Sequence, residues 1–125
     1  MTKRDPRNLS RDEKLALCDD QAMGRIPPQQ AALLLLLEDA DPSVRCAAAD
    51  AIGHIGPPAY NWRMLDRLLV DKTQPDFVRD TCAYALGAIG ARHDEVVDDL
   101  KAVAREAHGN AAIVARGVLQ SWGVQ

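Results

Sequence analysis

Aromatic residues are scarce in this chain, where Phe, Tyr and Trp make up 4% of 125 residues. Hydrophobic residues nevertheless account for 47% of the sequence, so a core has to be built mainly from Leu, Ala, Ile and Val. Small aliphatic side chains of this kind suit closely packed helices. A chain of this length is sufficient for one small domain.

Cysteine is also rare. The three cysteines, Cys18, Cys46 and Cys82, are an odd number and show no CxxC spacing. This pattern indicates neither a disulfide framework nor a structural zinc site. We therefore expect a protein of a reducing cytoplasm, without a metal or another cofactor.

The chain has neither an excess of positive charge nor a long apolar run. Its net charge of −3 argues against nucleic acid as the main partner, because proteins that grip phosphates cluster Lys and Arg. We interpret residues 1–9, which carry several charges, as a flexible and solvated lead-in. The apolar run at residues 31–37 is too short to span a bilayer, and no signal-peptide pattern is present. We expect a soluble protein without a membrane partner.

Two stretches of the chain, residues 44–56 and 78–90, are nearly the same and lie 34 residues apart. Repetition at a period of about 20 to 50 residues is typical of stacked helical or strand units. It predicts an all-α fold, a short right-handed α-solenoid of about three helical hairpins with an N-terminal capping helix. We expect one domain over residues 10–125, made of a cap helix at 10–24 and repeats at 28–56, 58–90 and 93–123.

Local signals mark where the helices begin. Ser10 and Glu13 have the spacing of a capping box, and Asp41 can cap the next helix, whose first residue is a proline. Gly53 and Gly87 lie inside the repeated helices, where each costs about 1 kcal/mol relative to Ala. We expect neighbouring helices to approach closely at both glycines.

Apolar side chains at helical spacing define the elements between these signals. They predict helices over residues 29–38, 93–107 and 111–122, and a further one that begins near Ala59. The two repeated helices each carry one core-facing stripe, formed by Val44, Ala48, Ala51, Ile52 and Ile55 in the first and by Val78, Cys82, Ala85, Leu86 and Ile89 in the second.

The repeated sequences resemble the HEAT repeat, particularly its short bacterial form. The first copy reads Asp-Pro-Ser-Val-Arg at residues 41–45 and Ala-Ile-Gly-His-Ile-Gly at 51–56, and the second reverses the Asp-Pro order at 75–76. The resemblance covers residues 28–123. It implies paired antiparallel helices, of which the Val-Arg helices line an inner, concave face. It also implies a structural ladder of charge-assisted hydrogen bonds between arginines and turn aspartates, here Arg45, Arg79, Asp41 and Asp76.

Side chains that point away from the core stripes should line the concave face. On the inner helices they include Ala88, Ile113, Gly117 and Ser121, and our candidates for protein binding are Cys46, Asp50, His54, Asp80, Tyr84 and Arg116. An acidic surface with an aromatic anchor suits a helix or peptide that bears basic side chains. An ordinary solvated face is the alternative.

Catalytic interpretations have weaker support. Cys46 and His54 lie eight residues apart, about 12 Å along a helix, which is too far for one metal ion to bridge easily. Among enzymes with similar repeats, deoxyhypusine hydroxylase uses adjacent His-Glu pairs, which this sequence lacks, and DNA glycosylases use a basic groove.

Our first hypothesis is a non-enzymatic protein–protein interaction scaffold or adaptor. The alternatives are an accessory or subunit of a bilin-lyase-like enzyme, since those enzymes share the short repeat, and a homo-oligomer formed through the last helix with Ile113, Val114 and Trp122.

Overall fold

The computed structural model describes residues 4–56 and 62–124, and all regular elements in these residues are helical. After a 3-10 helix at Pro6–Asn8, the α-helices are α1 (Arg11–Ala22), α2 (Gln30–Leu36), α3 (Pro42–Ile55), α4 (Trp62–Val70), α5 (Asp76–Ala88), α6 (Asp94–Ala104) and α7 (Asn110–Ser121). The all-α prediction is confirmed. No helix in the described ranges is long and apolar enough to cross a membrane.

The first helices begin where their capping signals lie. The hydroxyl of Ser10 accepts a hydrogen bond from the amide of Glu13 at 3.1 Å, and the Glu13 carboxylate accepts one from the Ser10 amide at 2.9 Å. Before α3, Asp41 accepts the amide hydrogen of Ser43 at 2.8 Å, and Pro42 is the first helical residue. Both predicted caps are therefore formed.

Helices α1, α3, α5 and α7 pack one after another in an inner layer. Helices α2, α4 and α6 form an outer layer, in which each helix packs against the inner helix that follows it in sequence. This is the expected stack of helical hairpins, a short α-solenoid. Helix α1 covers one end of it by packing on α3, as α3 packs on α5.

The core consists of small aliphatic side chains from both layers. The five stripe residues of the second repeated helix, of which the last is the α5 C-cap Ile89, are all buried. In the α3 stripe, Ile55 is half-buried and the other four residues are buried. Cys82 takes the place of Ala48 and is packed as a small hydrophobe. Burial raises the pKa of its thiol to about 12, so this cysteine stays protonated at neutral pH.

Some predicted boundaries differ from the structure. Within the expected lead-in, Asp5 caps the 3-10 helix, and that helix packs on α2. Helix α6 ends at Ala104 and not at residue 107, and Glu106, beyond its end, binds Arg79. The expected start of α4 near Ala59 lies outside the described residues.

Two glycines set the distance between inner helices. A Cβ atom at Gly53 would lie 2.8 Å from Cε2 of Tyr84 and 3.2 Å from Cα of Ala85. One at Gly87 would lie 2.8 Å from a methyl carbon of Val118. Real Cβ atoms essentially never come within 3.0 Å of another heavy atom, so the glycines permit the contacts α3–α5 and α5–α7, as the sequence predicts.

One buried carboxyl group lies between the outer helices. Asp66 of α4 is 5% exposed, and its Oδ1 has no hydrogen-bond partner among the described residues. Burial and the neighbouring Asp99 of α6 raise its pKa well above the ordinary 3.8. Glu95 of α6 adds further negative charge, while Arg63 and Arg67 of α4 line the same cavity. Asp66 is therefore largely protonated in the folded protein at neutral pH.

The glycine contacts predict opposite effects for the same substitution at different sites. Gly53→Ala or Gly87→Ala should lower the free energy of unfolding by about 1–3 kcal/mol, because the added methyl overpacks the helix contact. Gly117→Ala is the matched control: nothing lies within 4 Å of its added Cβ, so it should stabilise α7 by up to about 1 kcal/mol. Urea unfolding measures all three. Equal effects at Gly53 and Gly117 would show that close approach is not the reason for the glycine.

Asp66 predicts a pH dependence of stability. A raised pKa means that the folded state holds a proton that the unfolded chain has lost above about pH 4. Stability should then fall with rising pH, by at most about 1.4 kcal/mol per pH unit, until the folded protein also loses the proton. Because the pKa of Asp66 rises to about 8 in the folded protein, Asp66→Asn should flatten the profile between about pH 5 and pH 8 in urea unfolding. Asp98→Asn, on the exposed side of α6, is the control and should leave the slope of stability against pH unchanged. Parallel stability profiles for the wild type and Asp66→Asn would contradict the raised pKa of Asp66.

Candidate protein-binding surface

Tyr84 is the central side chain of the inner-helix surface. It projects from α5, lies against Gly53 of α3 and remains 40% exposed. Its ring centroid is 5.9 Å from that of His54, with the two planes tilted by 53°. The aromatic ring is thus held by a neighbouring helix while one side faces outward.

A shallow cavity of about 270 Å³ lies beside this ring. Asp50 of α3, Asp80 and Thr81 of α5, and Val114 of α7 also line it. Three helices therefore contribute to one depression. The structure brings together the predicted residues Asp50, Asp80 and Tyr84, whereas Thr81 and Val114 were not among the protein-binding candidates.

The two carboxylates differ in environment. Burial raises the pKa of Asp80, although the Thr81 hydroxyl, 3.2 Å from its Oδ1, favours the charged form. Asp50 is more open, and its Oδ1 lies 3.5 Å from Nδ1 of His54. Among the described residues, neither aspartate pairs with Lys or Arg. A cationic group that entered the cavity would therefore meet carboxylates that no Lys or Arg already pairs with.

Cys46 of α3 also contacts α5. Its Sγ is 3.3 Å from the hydroxyl of Thr81 and 3.6 Å from the carbonyl oxygen of Phe77, and burial raises the pKa of its thiol. The nearest partners of His54 are Asp50 and Tyr84, so the contacts of Cys46 and His54 do not coincide. In the described parts of the chain, no group of three or more Cys, His, Asp and Glu side chains is arranged to hold a metal.

Arg116 was a candidate for the same surface, and the structure places it elsewhere. Its guanidinium donates from Nη1 to the carbonyl oxygen of Ala104 at 2.8 Å, at the carboxyl end of α6. The side chain therefore turns toward the outer layer. The orphan carbonyls at a helix C-terminus attract a cationic donor, which accounts for the difference.

The predicted ladder between turn aspartates and arginines is wrong in its pairing. Arg45 donates from Nη1 to the carbonyl oxygens of Asp39 and Ala40, at 2.7 and 3.1 Å. Asp41 instead accepts a hydrogen bond from Nε of Arg11 at 2.7 Å. Asp41 thus connects α1 to the start of α3, a link that no repeat pattern could reveal because α1 precedes the repeats.

In the second unit, Arg79 and Asp76 correspond to Arg45 and Asp41, and they connect the second hairpin to the third. Arg79 is buried and donates to both carboxylate oxygens of Glu106, at 2.9 and 2.7 Å, and from Nε to the carbonyl oxygen of Leu69 at 2.8 Å. Asp76 accepts the amide hydrogens of Asn110 and Ala111 at 2.9 and 3.2 Å, which caps α7 from the preceding unit. Glu106 was missed because its partner lies 27 residues earlier, outside any local motif.

Two layers of packed helices define the protein as a short α-solenoid. A family model described as HEAT repeats matches residues 22–120. The chain belongs to the HEAT-repeat family. No curated protein and no solved structure matches it. HEAT repeats generally mediate protein–protein interactions, and their fold is typically a non-catalytic scaffold.

Proposed function

We propose that this protein is a non-enzymatic scaffold or adaptor that binds a basic segment of a partner protein on its inner-helix surface. The observation that supports this most directly is the cavity between Asp50, Asp80 and Tyr84. A Lys or Arg side chain fits its charge, and its open shape accepts an inserted side chain.

Tyr84 has the properties of an anchor residue. Tyrosine is enriched among the residues that dominate binding energy, because it buries a large area at a small entropic cost. The contact with Gly53 orders the ring before binding, so less conformational freedom is lost on association.

Asp80 explains why the partner should be cationic. Its carboxylate is partly desolvated, which raises its pKa, and desolvation disfavours a charge that has no counter-ion. A guanidinium or ammonium group from a partner would supply that counter-ion. The open Asp50 would add long-range attraction, which raises the association rate more than the affinity and weakens with salt.

A second candidate is a homo-oligomer formed through α7, favoured by one observation: the side chain of Ile113 is 59% exposed. Light scattering on the wild type and on Ile113→Asp tests it. We expect a larger particle for the wild type that the substitution converts to the monomer. A monomeric wild type at about 100 μM would exclude this candidate.

The main proposal predicts that charge reversal in the cavity weakens binding without unfolding the protein. The probe is a display library of random peptides, selected on the immobilised wild type and tested for Lys and Arg enrichment. Tyr84→Ala and Asp80→Lys should each weaken the selected peptides by about 30-fold, the effect of losing a residue worth about 2 kcal/mol. Affinity should also decrease as the salt concentration rises.

Asp98→Lys on α6 is the matched control, since it makes the same charge change on an exposed position of the outer layer. It should leave peptide binding unchanged. Circular dichroism confirms that each variant is folded. Selected peptides without basic enrichment, or equal binding by Asp80→Lys and Asp98→Lys, would refute the proposed surface.

A further inference from the structure

Three large apolar side chains are exposed on the inner helices α5 and α7. They are Phe77 and Tyr84 of α5 and Ile113 of α7, which are 45%, 40% and 59% exposed. Two other large apolar side chains are exposed in the described residues, and they lie elsewhere: Met23 at the end of α1 and Val70 at the end of α4. Exposed apolar side chains that gather on one surface mark an interaction site, whereas single scattered ones do not.

Phe77 and Tyr84 point to the same side of α5. They are seven residues apart, which is about 20° around the axis of a helix and about 10.5 Å along it. Asp80 lies between them, within about 60° of each. Cys82, which is buried in the core, lies on the opposite side of the helix. Helix α5 therefore presents an outward row of three side chains in the order apolar, acidic, apolar.

Ile113 lies beside this row on the neighbouring helix. Asp76, at the start of α5, accepts the amide hydrogen of Asn110 at the start of α7. Gly87 lies against Val118, and both are near the ends of these two helices. Helices α5 and α7 therefore run in the same direction. Ile113, three residues after Asn110, is about level with the acidic residue of the row.

The spacing of the row fits a helical partner better than an extended one. On a helix, side chains at positions i and i+7 also lie about 10.5 Å apart on one side, with i+3 and i+4 between them. On an extended strand, side chains that share a face are about 6.7 Å apart at i and i+2, or about 13 Å apart at i and i+4. A helix can therefore place apolar side chains on Phe77 and Tyr84 and another side chain on Asp80.

The acidic residue of the row favours a cation at the middle position of the partner. Among the described residues, no Lys or Arg pairs with Asp80 or with Asp50, and both line the cavity of about 270 Å³ beside Tyr84. A Lys or Arg side chain reaches such a site through an apolar stem. Val114 in the cavity lining and the exposed Ile113 next to it in sequence supply apolar surface for that stem.

We infer that the bound segment of the partner is an amphipathic α-helix, with apolar residues at positions i and i+7 on Phe77 and Tyr84 and a Lys or Arg at i+3 or i+4 on Asp80. This inference rests on the proposed function, because it uses the same surface. It adds the conformation of the partner, the order of its side chains and two contact residues, Phe77 and Ile113. A basic segment that binds without helical structure would satisfy the proposed function and contradict this inference.

Three alanine-rich peptides of about 18 residues, a length at which such sequences form helices in water, test the inference on the full-length protein. The first has two leucines seven residues apart and an arginine four residues after the first leucine. The second has the same composition, with the arginine moved two residues toward the first leucine, which turns it by about 160° to the other side of the helix. The third keeps the leucines and the arginine and has a proline next to the arginine, which breaks the helix.

Fluorescence anisotropy of the labelled peptides measures binding. We expect the first peptide to bind at least about tenfold more tightly than either of the others, because it alone presents the two apolar anchors and the cation on one helical face. Asp80→Lys should weaken the first peptide, and Asp98→Lys on the outer layer should leave it unchanged.

Phe77→Ala separates this inference from the proposed function, which assigns no role to Phe77. It should weaken the first peptide at least about fivefold, because the ring is a contact of the helix's terminal apolar residue, and should leave the proline peptide unchanged. Met23→Ala is the matched control, since it removes an exposed apolar side chain at the end of α1, and it should leave the binding of every peptide unchanged. Circular dichroism confirms that both variants are folded.

Each contrary result has its own meaning. Equal binding of the first and the proline peptides, both weakened by Asp80→Lys, would overturn the helical partner and leave the proposed function standing. No saturable binding of the first peptide, or unchanged binding by a folded Phe77→Ala, would also overturn the inference; the proposed function falls with it only if the selected library shows no basic enrichment. Self-association of the free protein that Phe77→Ala removes would show that a second copy of the chain occupies this surface, and would overturn the inference as well.

Discussion

The close contact between consecutive inner helices is the constraint on which the rest of the structure depends. Where α3 meets α5 and α5 meets α7, a glycine on one helix accepts a larger side chain from the next. Few aromatic residues are available to fill space, so the helices have to approach until small aliphatic side chains touch. The same contact orients Tyr84, so the packing that stabilises the stack also positions the candidate binding surface.

The repeated pattern predicted the layers well because the core stripe, the helix caps and the glycines are local or periodic features. Ser10 and Asp41 could be assigned as caps from their immediate neighbours. The stripe residues of α5 could be assigned because side chains at helical spacing share one face. Gly53 and Gly87 stood out because the same unfavourable residue occurs twice at matched positions.

The long-range ion pairs could not be predicted in this way. Glu106 lies just beyond the end of α6, and its partner Arg79 lies 27 residues earlier, so no local pattern links the two. The helical spacing of α7 predicted that Arg116 lies on the inner-layer surface. Its long side chain instead reaches the carbonyl oxygen of Ala104 at the end of α6. The candidate site was therefore predictable for short side chains near the helix axis, such as Asp50 and Asp80, and not for arginines.

The cap that Asp76 provides for α7 has a consequence for how the chain unfolds. Because the first amides of α7 are satisfied by a residue of α5, the last helix loses its start signal whenever the preceding unit opens. Helix α5 takes no cap from α7 in return, although its Arg79 loses the Glu106 carboxylate when the third unit separates. Opening should therefore be directional: the C-terminal hairpin can separate while the earlier units persist, but it cannot persist alone.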